Sequence, residues 1–332
     1  MKLLVTGAAG MLGRDVMLAA GNAGHDVVGF GHTALDVADQ GAVAAKFELE
    51  RPDVAINCAA WTDVDGAEEA EEAAFAVNGT GAGNIAAGAA AVEAKLAAER
   101  PDVLINCAAW TDVDGAEQAE EVAMAVNGTG AGKVAGAAAE IGASVVYVSS
   151  DYVFDGAKGA PYVETDQPAP LSAYGRTKLA GEEATAAANK RHFIVRSGGL
   201  FGIGGGNFVE TMLRLADDHG EVLVVRDQVT SPTYTWHLAY GIVRLIEGIE
   251  FGIHHMAAAG QCSWYEFARE IFEQAKIECK VLSGTTEMLA RPAARPAFSA
   301  LTSQREHAIR LPSWHDGLAG YLAQRQAERE AA

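Results

Sequence analysis

Residues 2–20 read "KLLVTGAAGMLGRDVMLAA". The opening "KLLVT" is an apolar run of strand length, and the stretch from about Met11 to Ala20 has the composition of a helix. Between them stand Gly7, Gly10 and Gly13, beside Met11 and Leu12. Glycine lets a backbone turn tightly and come close to a pyrophosphate. The N-terminus of the helix that follows supplies free N–H groups and a partial positive charge. A glycine-rich turn between a strand and a helix therefore points to dinucleotide binding. The alternative is a tight turn with no ligand.

Further along, short apolar runs alternate with longer helical patterns. Strands are expected at 26–30, 53–57, 102–106, 144–150 and 192–197, with a short one inside "ALDVAD" (34–39) and a helix ending near Glu50. This alternation predicts an α/β fold, a Rossmann-type doubly wound parallel sheet, with a smaller C-terminal substrate-binding region. After about residue 200 the texture changes to "GIGGGNFV", "DQVTSPTY" and "RPAARPAF", with helices near 207–217 and 263–276. Residues 1–200 read as the dinucleotide-binding domain. Residues 201–332 read as mainly substrate-binding, with 236–258 ("GIHHMAA" within it) returning to the main sheet. The last residues, "AQRQAEREAA", read as a fraying helix end.

The chain has 332 residues, 25 Lys and Arg against 44 Asp and Glu, and a net charge of −19. Such an excess repels nucleic acid and anionic membrane surfaces, and no apolar run reaches the length of a membrane span. The four cysteines, Cys58, Cys107, Cys262 and Cys279, form no CxxC pair. They suggest neither a disulfide framework nor a metal site, and small buried thiols in a reducing cytoplasm are expected. The N-terminus runs straight into a strand, without a signal-peptide pattern.

Many dinucleotide sites carry an acid at the end of the second strand, bonded to the adenosine ribose. Here Gly31 and His32 stand in that place. A missing carboxylate removes the repulsion against a 2′-phosphate, and Arg14 and His32 would add weak attraction; an exposed loop histidine is at least an equal alternative for His32. NADPH is expected as cofactor, with NADH as the alternative. "SAYGRTKLAGEE" places Tyr174 and Lys178 four apart, on one helix face. A nearby ammonium favours the phenolate and draws the phenol pKa toward neutrality. "VYVSSDYVFDG" ends a strand with Ser149 and Ser150, at the carboxyl edge of the sheet where such folds bind ligands. A Ser, a Tyr and a Lys together can hold a carbonyl and pass it a proton. YxxxK alone is common on solvated helices; the glycine turn and the strand-end serine give it meaning here.

"TGAAGMLG", "VSSDYVFDG" and "YGRTK" resemble the extended short-chain dehydrogenase/reductases. More narrowly, the chain resembles the dTDP-4-dehydrorhamnose reductase family. That family's "INxAAYTxVDxAE" is matched by "INCAAWTDVDGAE", and its "STDYVFDG" is matched with Ser150 for threonine. "NFVETMLRLA", "DQVTSPTY", "CSWYEFAREIF" and "RPAFSAL" carry the likeness through the C-terminal half. The resemblance implies reduction by NADPH of the C4 ketone of a dTDP-4-keto-6-deoxy sugar. It implies that Tyr174 protonates the oxygen, Lys178 binds the nicotinamide ribose and tunes Tyr174, and Ser150 orients the carbonyl. It further implies cofactor contacts at Ala108 and Ala109, and adenine contacts at Asp36 and Val37. Tyr152 and Arg295 are the substrate-side candidates. A guanidinium suits a diphosphate because it donates two parallel hydrogen bonds; a surface ion pair is the equal alternative for Arg295.

Two departures stand out. The family's "RTSWVYG" reads "RSGGLFG" here, so Gly199 replaces a tryptophan that packs on the sugar. Thr230 and His237 replace a usual glycine and aspartate. The chemistry survives these changes, while the particular sugar does not follow from the sequence.

Residues 50–84 repeat as 99–133 with 30 identities in 35 positions, within a duplicated unit of 41–89 and 90–138. The family has one such unit, between the glycine-turn strand and the Ser150 strand. Both copies in that gap would move Ser150 outward by about 4.8 Å, and since hydride transfer needs reacting atoms within about 3.5 Å, such an arrangement is expected to be inactive. One copy is therefore expected in the sheet, with a lean toward the second. The other is expected outside it, hidden against a sheet edge or another subunit, which leaves a homodimer open. Two other functional readings compete with the reductase. One is a non-catalytic NADP-binding regulator of the same fold; the other is a nucleotide-sugar epimerase.

Overall fold

In the computed structural model, the described residues are 1–59, Val77, Asn84 and 102–331. The main sheet is built from β1 (Lys2–Thr6), β2 (Asp26–Phe30), β3 (Val54–Asn57), β4 (Val103–Asn106), β5 (Ser144–Ser150), β6 (His192–Ser197) and β7 (Gly252–His255). Its order is β7-β6-β5-β4-β3-β1-β2, and every pairing in it is parallel. The helices that flank it and extend beyond it are α1 (Met11–Asn22), α2 (Gln40–Glu50), α3 (Ala131–Glu140), α4 (Ala173–Ala188), α5 (Phe208–Asp218), α6 (Thr235–Leu245), α7 (Trp264–Ala275) and α8 (Trp314–Ala331).

Strands buried on both faces need apolar side chains at every position. Leu3, Val5, Val54, Ile56, Val103 and Ile105 pack on one face with α1 and α6. Leu4, Ala55, Leu104 and Val145 pack on the other with Phe47 of α2 and Ala135 of α3. A separate core joins α5, α7 and α8 through Phe201, Phe267, Trp314 and Tyr321. β7 and α6 return to the main sheet and its face, across residues 235–255.

The strand expected within 34–39 is absent. Asp36 accepts from the Ala38 N–H at 2.9 Å, closing a local turn, and Asp39 caps α2 by accepting from the Ala42 N–H at 3.0 Å. The C-terminal helix is docked rather than fraying: Arg325 meets Glu210 of α5 at 2.6 Å.

The larger correction concerns the repeat. Both copies enter the sheet side by side, with Val54 opposite Val103 and Asn57 opposite Asn106, while β3 also pairs with β1 and β4 with β5. Val54, Ala55 and Ile56 are fully buried. Outside the sheet, this strand would leave two apolar faces and its backbone polar groups unpartnered. Each copy also closes its strand with the same turn, in which Asn57 and Asn106 accept from Ala59 and Ala108 N–H, both at 3.2 Å. β1 and β5 consequently lie three strand spacings apart, about 14 Å, instead of two. The rest of the first copy's loop, beyond Ala59, lies outside the described residues save Val77 and Asn84.

Candidate active site

The glycine turn leads from β1 into α1. Gly7 has φ +63°, and a Cβ there would lie 2.4 Å from the backbone of Cys58 and Ala59, so only glycine fits against the end of β3. Gly10 caps α1 in an extended conformation, and no side chain bonds the first-turn N–H groups. Such a helix start suits a pyrophosphate. Gly10, Met11, Leu12 and Gly13 line one side of a cleft of about 530 Å³. Residues 204–206 also line it, near α1's first turn.

Ser150, Tyr174 and Lys178 line the same cleft. Ser150 is the last residue of β5, and Ser172 caps α4 by accepting from Gly175 N–H at 3.2 Å, which sets Tyr174 in the first turn. Burial pushes the Tyr174 phenol up to about 12, against a bond with Ser150 that pulls it down. Lys178 lies one turn further on and is 2% exposed. Its ammonium donates to Val148 O at 2.7 Å and sits 4.4 Å from the centre of the Tyr147 ring. Burial lowers it to about 8, while Glu182 and Cys107 work upward. The expected lowering of the Tyr174 phenol by Lys178 is thus not what the geometry gives. The ammonium points at the β5 carbonyl, and burial governs the phenol.

Below the cleft, Glu182 holds the end of β5. It accepts from Ser149 at 2.6 Å and from Arg196 at 2.9 and 2.5 Å, all buried. Asp151 follows Ser150 and accepts from Ser299 at 2.5 Å, Ser150 at 3.1 Å and Thr230 at 3.1 Å. Burial pushes it up to about 6 against these bonds. Thr230, one of the departures from the family pattern, therefore has a physical role as an Asp151 donor. Gly199, the other notable departure, has φ +56°, and a Cβ there would come 3.4 Å from the Trp264 ring. Trp264 lines the cleft from α7 and rests on Phe208, centroid to centroid 4.6 Å. An aromatic face thus borders the position where the family's tryptophan is missing. The sequence offered "CSWYEF" but no sign that its tryptophan reaches Gly199, which lies in a different part of the chain.

The remaining candidates divide. Ala109 lines the cleft, but Ala108 is buried in the core on the opposite face of the sheet. Tyr152 lines it too, edge-on to Tyr174 at 5.9 Å, with burial raising its phenol. Asp36 is exposed and Val37 is core, and neither is among the cleft-lining residues. Arg14 donates to Glu328 of α8 at 2.6 Å, and His32 is exposed. Arg295 is committed to Asp114: its two terminal nitrogens donate to the carboxylate at 3.0 and 2.8 Å. It is not among the cleft-lining residues, although its neighbours Tyr152 and Pro296 are. Among the described residues no cluster of His, Cys, Asp or Glu could hold a metal, and no helix is long and apolar enough to cross a membrane.

Comparison with known proteins gives consistent matches. The family model described as RmlD substrate binding domain matches residues 1–98 and 89–327, so its two matches overlap where the two copies of the repeat meet. A dTDP-4-dehydrorhamnose reductase of Sinorhizobium fredii is 39% identical, covering 95% of each chain. A spore coat polysaccharide biosynthesis protein of Bacillus subtilis is 34% identical over 98% of each. A crystal structure of a Bacillus anthracis dTDP-4-dehydrorhamnose reductase in complex with NADP is 32% identical. It superposes with a TM-score of 0.76 over 97% of this chain and 99% of that one.

Proposed function

Because the chain belongs to the RmlD substrate binding domain family, we propose that it reduces the C4 ketone of a dTDP-4-keto-6-deoxy sugar, taking dTDP-4-dehydrorhamnose to dTDP-rhamnose. One observation carries this reading: Ser150, Tyr174 and Lys178 share a single cleft with the uncapped start of α1. NADPH, when bound, supplies the hydride. The groups present fit it, with glycines at 7, 10 and 13 and no side chain capping the helix start. Gly10 to Gly13 would hold the pyrophosphate, and Lys178 the nicotinamide ribose. Ser150 would orient the ketone by turning its hydroxyl from Asp151 to the ketone oxygen. Tyr174, already bonded to Ser150 and protonated at neutral pH, is the acid that delivers the proton. Tyr152 and Trp264 border the space left for the sugar. The free thiols accord with a cytoplasmic enzyme.

The added strand between β1 and β5 favours a second reading, a non-catalytic NADP-binding member of the family, because it lengthens the path from the helix start to Tyr174. One measurement separates them. NADPH consumption that requires dTDP-4-dehydrorhamnose supports the reductase; NADPH binding without turnover on that or related ketosugars supports the binder.

A further inference from the structure

Cys58 and Cys107 are the same position in the two copies, and side-by-side insertion makes them neighbours. They follow Asn57 and Asn106, which are partners in register, and the Cys107 N–H continues the ladder to Asn57 O at 2.7 Å. Each lies two residues beyond an isoleucine, Ile56 or Ile105, so both side chains leave the same face of the sheet. Both pack against the same core cluster there. Adjacent strands stand about 4.8 Å apart, inside the roughly 4.4–6.8 Å between Cα atoms that a disulfide tolerates. Both line the cleft, and Cys107 is close enough to the Lys178 ammonium to interact with its charge.

We propose that Cys58 and Cys107 form a redox-sensitive dithiol in the cleft wall, and that its closure to a disulfide weakens dinucleotide binding. The oxidant is a small disulfide of the glutathione type. Cys107 gives up its proton to solvent and attacks one sulfur, releasing one thiol. Cys58 gives up its proton and attacks the mixed disulfide, releasing the second. Two protein thiols are oxidised and one disulfide is reduced to two thiols. The coupling to binding follows from the contact already described: Gly7 rests on the backbone of Cys58 and Ala59. A bond that draws Cys58 toward Cys107 shifts the support of the glycine turn and removes two thiols from the cleft surface. The binding consequence rests on the dinucleotide reading above; the cross-link does not.

The test treats the native full chain with oxidised glutathione and reads two quantities. Peptide mass spectrometry without reductant should find Cys58 joined to Cys107, two hydrogens lighter than the reduced pair. NADPH fluorescence titration should show affinity falling by about tenfold or more and recovering with dithiothreitol. In Cys58→Ser and Cys107→Ser the ratio of affinities before and after oxidant should be one. A native chain that yields no Cys58–Cys107 peptide would overturn the proposal, whether or not either serine variant folds. A cross-linked chain with unaltered NADPH affinity would overturn the coupling. If the reduced chain binds no NADPH, the dinucleotide reading fails and takes the coupling with it, while the cross-link still reports on the dithiol.

Discussion

Arg295 and Asp114, 181 positions apart, face each other in a two-pronged ion pair of 3.0 and 2.8 Å. The Arg295 side chain is 12% exposed and Asp114 28%. Asp114 belongs to the second copy's loop, and it also accepts from the Ala293 N–H at 3.0 Å. The pair fastens that loop to the C-terminal region beside Tyr152. Burial works to raise the Asp114 carboxyl, but Arg295, the Ala293 N–H and Arg291 together hold it below its usual value. Its contribution is present above about pH 3.9 and is lost as pH falls through the lowered folded-state value. Arg295→Met should cost on the order of 1–3 kcal/mol in urea unfolding at pH 7. A double-mutant cycle with Asp114→Asn should show coupling. Additive single effects would mean the pair contributes nothing.

Tyr174→Phe removes the proposed proton donor and leaves the ring in place beside Tyr152. Turnover of the ketosugar should fall about 10²–10⁴-fold, with NADPH affinity nearly unchanged. Full activity in this variant would take Tyr174 out of the mechanism.

Asp15 on α1 is 1% exposed. Burial pushes its carboxyl up to about 6, against a bond from Thr235 and the charge of Arg14. The folded chain therefore binds this proton more tightly than the unfolded chain, whose value is about 3.9. That stability is fully present below about pH 4 and is lost as pH rises through about 6. Asp15→Asn should be close to neutral at pH 4 and should gain on the order of 1–3 kcal/mol relative to the parent at pH 8. Thermal melts at the two pH values decide it; an equal difference at both would be the wrong outcome.

Trp264 presents its ring beside Gly199. If this aromatic face stands in for the missing tryptophan, Trp264→Ala should raise KM for the ketosugar about tenfold, with a smaller change in kcat. A KM equal to the parent's would show that the sugar lies elsewhere.

Removing residues 42–90 deletes one repeat unit and should return the sheet to one strand between β1 and β5. The glycine turn then comes about 4.8 Å closer to Ser150. The shortened chain should be soluble, bind NADPH at least as tightly, and turn over faster if the extra strand limits hydride transfer. An insoluble product, or one that no longer binds NADPH, would show that β3 has become essential to this fold.

Much of the architecture was legible because burial on both faces writes itself as uninterrupted apolar runs. "KLLVT", "DVLIN", "SVVYVSS" and "HFIVRS" all became strands of the main sheet. The strand expected in "ALDVAD" failed because Asp36 and Asp39 bond local backbone N–H groups, a competition that hydropathy does not register. Ser150, Tyr174 and Lys178 were legible from spacing and context, and the fold brings them to one cleft. Arg295 was not settled by its motif, because its partner Asp114 lies in a distant loop whose approach no local pattern encodes.

The chain's residues by themselves determined the parallel α/β sheet, the glycine turn into α1, the Ser-Tyr-Lys set and the repetition of a strand-and-loop unit, since each depends on side-chain type and short-range spacing. Only the tertiary structure decided where the second strand goes. Two nearly identical strands satisfy the same local rules, so nothing local distinguishes them. Their placement is set by which backbone and apolar faces remain unpartnered once the rest of the sheet has formed, and both found partners in the same gap. That choice sets β1 and β5 an extra strand apart and brings Cys58 and Cys107 together.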